Sequence, residues 1–266
     1  MDARTKEAIR YLGYGRHAVD DHTLKLVESC FEELSQAACG RIVYRIFELE
    51  FPESGRILLG NLDIHSKNLY KNLTGCKKAV LLGATLGPKV DLLLRKYSIG
   101  DMARVVTLQA CAAAMLEEYL DEWQTALEAD MKKEGYYIRP RFSPGYGDFD
   151  IAHQDMILRM LDTAKKIGLT LTGGNMLTPS KSVTAVIGLS ETAIQGIMHH
   201  IGEACHQCLV LCFHHAHRKY LRILQKITII LHHIKTESVL AQCPFAQFLY
   251  KGLFQVPVPD RLCHCI

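Results

Sequence analysis

Apolar side chains recur at intervals of three or four residues in several stretches of the chain, which is typical of amphipathic helices. In the first of these stretches the apolar positions are Leu24, Val27, Phe31, Leu34 and Ala38. Asp21 precedes them as a helix cap, and Gly40 follows them as a stop. The same spacing predicts further helices from 88 to about 97, from 101 to about 132, and from 151 to 167.

Shorter runs that are rich in β-branched and aromatic residues predict strands. Residues 41–49 and 56–59 are joined by a link that contains proline and glycine, so we expect them to form an antiparallel pair. Residues 78–82 have the pattern of a buried strand, and residues 169–172 and 182–189 that of two strands joined by a turn-rich segment. Because helices and strands alternate irregularly, we predict an α+β fold rather than a doubly wound parallel sheet.

Composition limits the classes of protein that fit. The 266 residues are 48% hydrophobic and 22% charged, which is typical of a soluble globular protein. No apolar run approaches the roughly 20 residues that cross a bilayer. Residues 1–10 carry five charged side chains and no apolar core of a signal peptide. A net charge of +3 is too small to indicate nucleic acid. We therefore expect a cytoplasmic protein without a membrane or nucleic-acid partner. Its ten cysteines should be reduced, because disulfide frameworks are typical of short secreted chains.

The composition changes near Thr192. Residues 1–192 hold 24 Lys and Arg against 25 Asp and Glu, whereas residues 193–266 hold 7 against 3. The second segment also holds nine of the thirteen histidines and six of the ten cysteines. We therefore predict a domain over residues 1–192 and an atypical His- and Cys-rich tail over residues 193–266, in which residues 220–234 have a helical pattern.

Two motifs suggest ligand chemistry without completing a known pattern. Gly83 and Gly87 follow a predicted strand and precede a helix that could receive a phosphate, but the P-loop Lys is missing, so a tight turn is favoured. Cys205, Cys208 and Cys212 lie near several histidines, and both residue types are ligands that zinc prefers. Their spacing matches no zinc-finger pattern, so the sequence predicts no metal site.

The strongest candidate for a ligand site is the loop of residues 141–146, Arg-Phe-Ser-Pro-Gly-Tyr. The guanidinium of Arg141 presents a planar fork to a carboxylate, and Tyr146 presents a ring face to a cation. Glu117 and Glu118, on the preceding long helix, could meet an ammonium group. On residue types alone, a plain surface turn with an arginine and a half-buried tyrosine is the alternative interpretation.

This loop resembles the Arg-x-x-x-Gly-Tyr motif of the activation domain of cobalamin-dependent methionine synthase. Residues 167–172 and 181–185 look like the strand segments that follow the motif in that family. Residues 83–87 and 11–14 look like segments of its shorter, stand-alone bacterial members. The resemblance covers roughly residues 5 to 190.

The resemblance implies a twisted antiparallel sheet with helices and a role as a reactivation subunit. Such a subunit binds S-adenosylmethionine for the reductive methylation of cob(II)alamin. The cobalamin is presented by a partner, a corrinoid-binding methionine synthase subunit, and a flavodoxin-like donor supplies the electron. The alternative is a non-catalytic module of the same fold that binds S-adenosylmethionine or a corrinoid. A structural zinc protein organised by the tail is the third hypothesis.

The resemblance also implies roles for the loop residues. Arg141 would hold the methionyl carboxylate of S-adenosylmethionine, and Ser143 would contact the adenosine end through its backbone. Gly145 and Tyr146 would lie in the same pocket. If Arg141 serves only the ligand, we expect its replacement by alanine to weaken binding while leaving fold stability almost unchanged.

Glu118 would match the family's ammonium-binding glutamate, or Glu117 would if the helix register differs by one residue. The chain departs from the family pattern at Thr172-Gly173-Gly174, where the family has a Thr-Glu step. It departs again at residues 185–188, where a strand of the family carries tyrosine and this chain has no aromatic residue. Both departures predict altered ligand binding.

Overall fold

The computed structural model of the protein describes residues 1–14 and 18–193. The helices are α1 (Ala3–Tyr11), α2 (Asp21–Ala37), α3 (Lys67–Leu73), α4 (Pro88–Tyr97), α5 (Met102–Lys133), α6 (His153–Leu161) and α7 (Thr163–Ile167). The strands are β1 (Arg41–Glu50), β2 (Arg56–Leu59), β3 (Leu62–His65), β4 (Lys78–Thr85), β5 (Tyr137–Ile138), β6 (Thr170–Leu171), β7 (Leu177–Thr178) and β8 (Ser182–Ser190). The expected helix at 220–234 and the Cys205 cluster lie outside the described residues, and the domain boundary near Thr192 stays a prediction.

A six-stranded sheet forms the centre of the described part, in the order β3-β2-β1-β4-β8-β5. Neighbouring strands pair antiparallel throughout, so the predicted α+β class is confirmed. The expected pairing of the first two strands is also confirmed, with Leu49 opposite Leu59. Strand β4 lies between β1 and β8 and is buried along almost its whole length, as its continuous apolar sequence predicts.

The two faces of the sheet pack against different layers of helices. Because successive side chains of a strand point to opposite faces, Val80 and Leu82 of β4 join a core with α1, α2, α4 and α5. Ala79 and Leu81 join a second core with α3, α6 and the 141–149 loop. Among the described residues, no helix combines the length and the apolar composition that crossing a bilayer requires.

The ends of α2 differ from the prediction. Its cap is Asp20 rather than Asp21, because the Asp20 carboxylate accepts the backbone N–H of Thr23 at 2.9 Å. The helix ends before Gly40, which therefore does not serve as its stop. Gly40 instead lies against the ring of Tyr119, where a Cβ atom would stand only 2.9 Å from the ring. The glycine is thus needed for close packing and not for helix termination.

The predicted helix over residues 151–167 is divided in two. Asp162 has a φ of 54° and separates α6 from α7, because a left-handed residue cannot continue an α-helix. Gly168, with a φ of 70°, ends α7 as the sequence predicts.

The two strands predicted over residues 169–172 and 182–189 do not form a consecutive pair. The first is the short strand β6, which pairs with β7 in a separate two-stranded sheet. The second is β8, which enters the central sheet beside β4. Leu177 and Thr178 of β7 lie within the segment that we expected to be a turn.

Candidate functional site

The conformation of the 141–146 loop follows from its own sequence. The Tyr146 N–H donates to the Ser143 carbonyl at 3.1 Å, which closes a four-residue turn. Pro144 occupies the second position of this turn, and Gly145 the third with a φ of +90°. Proline followed by a residue with positive φ is typical of a type II β-turn, which strongly favours glycine at its third position. The sequence Ser-Pro-Gly-Tyr therefore specifies the turn locally.

Two aromatic residues anchor the turn to the sheet. Phe142 and Val186 of β8 exchange backbone hydrogen bonds of 2.9 and 2.8 Å, so the loop extends the edge of the central sheet. Phe149 is 1% exposed, and its carbonyl accepts the Gly145 N–H at 2.7 Å. The ring of Tyr146 packs edge-on against Phe142 with the centroids 5.0 Å apart. The turn is held by buried aromatic packing on one side and by β8 on the other.

Asp148 ties the loop to the start of α3. Its carboxylate accepts the Ser66 hydroxyl at 2.5 Å and the backbone N–H groups of Lys67 and Asn68 at 2.8 and 3.1 Å. These hydrogen bonds, with that from Ser66 the largest effect, lower the pKa of Asp148 below its usual 3.8. The carboxylate therefore contributes to stability in its charged form.

Replacing Asp148 by alanine is expected to cost about 1 kcal/mol, because the first turn of α3 loses its external acceptor. A lowered pKa in the folded state means that this contribution is present above pH 3.8 and is lost as the pH falls through the folded-state value. Urea unfolding at pH 7 and at pH 3 tests both statements. The difference between wild type and Asp148→Ala should shrink at the lower pH, and it should do so more than for Asp130→Ala, an exposed matched control. An undiminished difference at pH 3 would contradict the assignment.

Arg141 lies two residues before this turn, and its guanidinium contacts one face of α5. Its Nη1 donates to Oε1 of Gln124 at 2.7 Å. Its Nη2 donates to Oε2 of Glu117 at 3.1 Å and to Oδ1 of Asp121 at 2.6 Å. The side chains of Arg141 and Glu117 are only 5% and 7% exposed, so their charges neutralise each other in a buried ion pair. This cluster of four residues, the Arg141 cluster, is the candidate functional site.

The structure brings Glu117 and Arg141 together and places Glu118 elsewhere. Glu118 lies about 100° further around α5, and its carboxylate contacts Arg4 of α1 at 3.4 Å. Asp121 and Gln124 complete the group. Neither residue was among the site residues predicted from the sequence. The spacing of residues 117, 121 and 124 puts all three on one helix face and would have identified them once Arg141 was placed opposite.

The remaining loop residues use part of their hydrogen-bonding capacity internally. The N–H groups of Gly145 and Tyr146 and the carbonyl of Ser143 all bond within the loop. Ser143 is buried, whereas Tyr146 is half-buried and packs against the core beneath the loop. The roles expected for Ser143, Gly145 and Tyr146 in ligand binding therefore stay predictions.

The glycine motif at Gly83 and Gly87 has a local structural role. Gly87 has a φ of +86°, and its N–H donates to Oγ1 of Thr85 at 3.0 Å, which makes a strand-to-helix turn. Asp91 in the first turn of α4 accepts the N–H of Ser180 at 2.9 Å and also its hydroxyl. A carboxylate therefore already lies at the start of the helix that was considered as a phosphate site. Across residues 1–14 and 18–193, no three His, Cys, Asp or Glu side chains are grouped as metal ligands.

Comparisons with known proteins find a likeness at the level of structure. No protein-family model matches the chain, and neither does any curated protein. Among solved structures, the chain is similar to the crystal structure of the MetH reactivation domain bound to AdoHcy. The sequence identity is 14% and the TM-score is 0.48, over 71% of this chain and 76% of that chain.

Proposed function

We propose that the protein binds S-adenosylmethionine at the Arg141 cluster and serves as a reactivation subunit for cobalamin-dependent methionine synthase. The observation that carries the proposal is a guanidinium fixed by Gln124 and Glu117 beside a rigid Pro-Gly turn. A planar guanidinium of this kind suits bidentate recognition of a carboxylate. The loop motif around it is the one that resembles the activation domain.

The charges of the cluster fit the amino-acid end of S-adenosylmethionine. That end carries a carboxylate and an ammonium group on the same carbon atom. Arg141 supplies the positive charge, and the buried carboxylate of Glu117, 3.1 Å from the guanidinium, supplies a negative charge. A zwitterion can therefore pair with both signs of charge at neighbouring positions. Tyr146, half-buried beside the turn, offers an aromatic ring to the sulfonium group, whose positive charge is attracted to an aromatic face.

In the proposed reaction the bound ligand donates its methyl group to a cobalamin held by a corrinoid-binding methionine synthase subunit. One electron from a flavodoxin-like donor reduces the cob(II)alamin substrate, and the methyl group is transferred as a cation equivalent. S-adenosylhomocysteine is the product that remains on this chain. The contribution of this chain is to hold the ligand and to orient the methyl group towards the partner.

Calorimetric titration with S-adenosylmethionine tests the binding step. If the ring face of Tyr146 contacts the sulfonium, Tyr146→Phe should bind about as tightly as wild type, whereas Tyr146→Ala should bind about fivefold more weakly. Tyr70→Phe, on a ring that packs against Phe51, is a matched control and should have no effect. Equal affinity for all four proteins would remove the ring from the site.

Methyl transfer is tested with the purified corrinoid subunit, a reduced flavodoxin and ligand labelled on the methyl group. Label that appears on the corrinoid supports reactivation. Tight ligand binding without transfer to any corrinoid partner would instead favour a non-catalytic module of the same fold.

A further inference from the structure

Asp121 differs from Glu117 and Gln124, which also bond to Arg141. Its side chain is 67% exposed, whereas that of Glu117 is 7% exposed, yet both carboxylates bond to the same Nη2 atom. Gln124, the acceptor for Nη1, is also buried. Glu117 and Gln124 are therefore packed in place, while Asp121 reaches the guanidinium from the solvent side. Water competes for an exposed ion pair of this kind, so it is easily exchanged.

The charge balance of the cluster limits what can bind beside it. One guanidinium already lies between two carboxylates, which leaves the three groups with a net negative charge. A third carboxylate on the same guanidinium would add repulsion in a partly buried setting, where charges are weakly screened. If Asp121 leaves as the ligand carboxylate arrives, the number of charges around Arg141 stays the same.

We propose that Asp121 is an internal competitor that occupies the carboxylate position of the ligand site and is displaced by the carboxylate of an amino-acid-type ligand. This inference rests on the proposed function in that it assigns the ligand carboxylate to Arg141. Asp121 thereby sets the affinity and favours ligands that carry a carboxylate. Adenosine compounds without one cannot replace it on the guanidinium. Glu117 and Gln124 keep Arg141 oriented during the exchange.

Asp121→Asn tests the proposal because asparagine keeps the size of the side chain and removes its charge. S-adenosylmethionine and S-adenosylhomocysteine should both bind roughly two- to fivefold more tightly, which corresponds to the strength of an exposed ion pair. Methylthioadenosine, which lacks the amino-acid end, should bind wild type and variant equally. Glu122→Gln is the matched control, because it removes the same charge at a position about 100° away on the helix and should leave all affinities unchanged.

The outcomes separate this inference from the proposed function. Weaker or unchanged binding of S-adenosylmethionine to Asp121→Asn overturns the inference while leaving the function in place. An equal gain in Glu122→Gln also overturns it, since the effect would then be one of overall charge. A thermal-shift titration with L-methionine gives a readout that needs no adenosine recognition. A larger shift for Asp121→Asn than for wild type supports the inference even if S-adenosylmethionine does not bind, and the absence of any difference overturns it.

Discussion

Arg141→Ala is expected to lower the free energy of unfolding by about 3 to 5 kcal/mol, because it leaves the buried carboxylate of Glu117 without its counter-charge. This replaces the expectation from sequence that stability would hardly change, which does not fit a side chain that is 5% exposed. Removing the charges of both Arg141 and Glu117 should lower the free energy of unfolding less than removing that of Arg141 alone. Adding Glu117→Gln to Arg141→Ala should therefore restore part of the loss, as a double-mutant cycle can measure.

The same variant should weaken S-adenosylmethionine binding by roughly tenfold to a hundredfold, since charge-assisted hydrogen bonds contribute about 1.5 to 3 kcal/mol. Arg141→Lys should recover only part of the affinity, because a lysine ammonium cannot reproduce the planar fork. Titrations should be made well below the unfolding midpoint, so that each variant is folded. Arg159→Ala removes an arginine that is 72% exposed and serves as the control. Unchanged stability and affinity in Arg141→Ala would exclude the Arg141 cluster as the site.

Phe149→Ala is expected to cost about 3 to 5 kcal/mol, the range for removing a large buried aromatic side chain from a core. Phe149 is 1% exposed and lies in the core that packs under the loop, where its backbone bonds to both Gly145 and Tyr146. Phe149→Leu keeps most of the volume and should cost less than half as much. Denaturant unfolding of the three proteins measures the difference.

The loop should also become less ordered in Phe149→Ala, because the cavity removes the packing that holds the turn. Hydrogen exchange at the Gly145 and Tyr146 amides should then accelerate by more than the global loss of stability explains. Acceleration equal to the global loss would show that the loop and the core unfold together. Faster exchange confined to residues outside the loop would contradict the anchoring role of Phe149.

Those parts of the site that depend on neighbours in the chain could be predicted from the sequence. Pro144 and Gly145 specify the turn because their allowed backbone angles match its second and third positions. The apolar run over residues 78–82 predicts a buried strand, since a strand covered on both faces needs no polar alternation. These features need no knowledge of the rest of the fold.

Features that depend on distant contacts could not be predicted in this way. Periodicity did not decide between Glu117 and Glu118, because both lie on α5 and the choice depends on which face meets a loop more than 20 residues away. Asp121 and Gln124 were missed for the same reason. The strand at residues 182–189 was predicted without a partner, because it pairs with β4, about 100 residues earlier in the chain.

The sequence by itself determined the α+β class, most helices and strands of the described residues, and the conformation of the Ser143–Tyr146 turn. These follow from hydrophobic spacing and from the backbone limits of proline and glycine. Only the tertiary structure decided that Arg141 is a buried partner of α5 rather than a surface arginine. The physical reason is that burial and charge pairing arise when α5 and the loop pack together on the sheet, and neither segment alone encodes which of its polar side chains will meet the other.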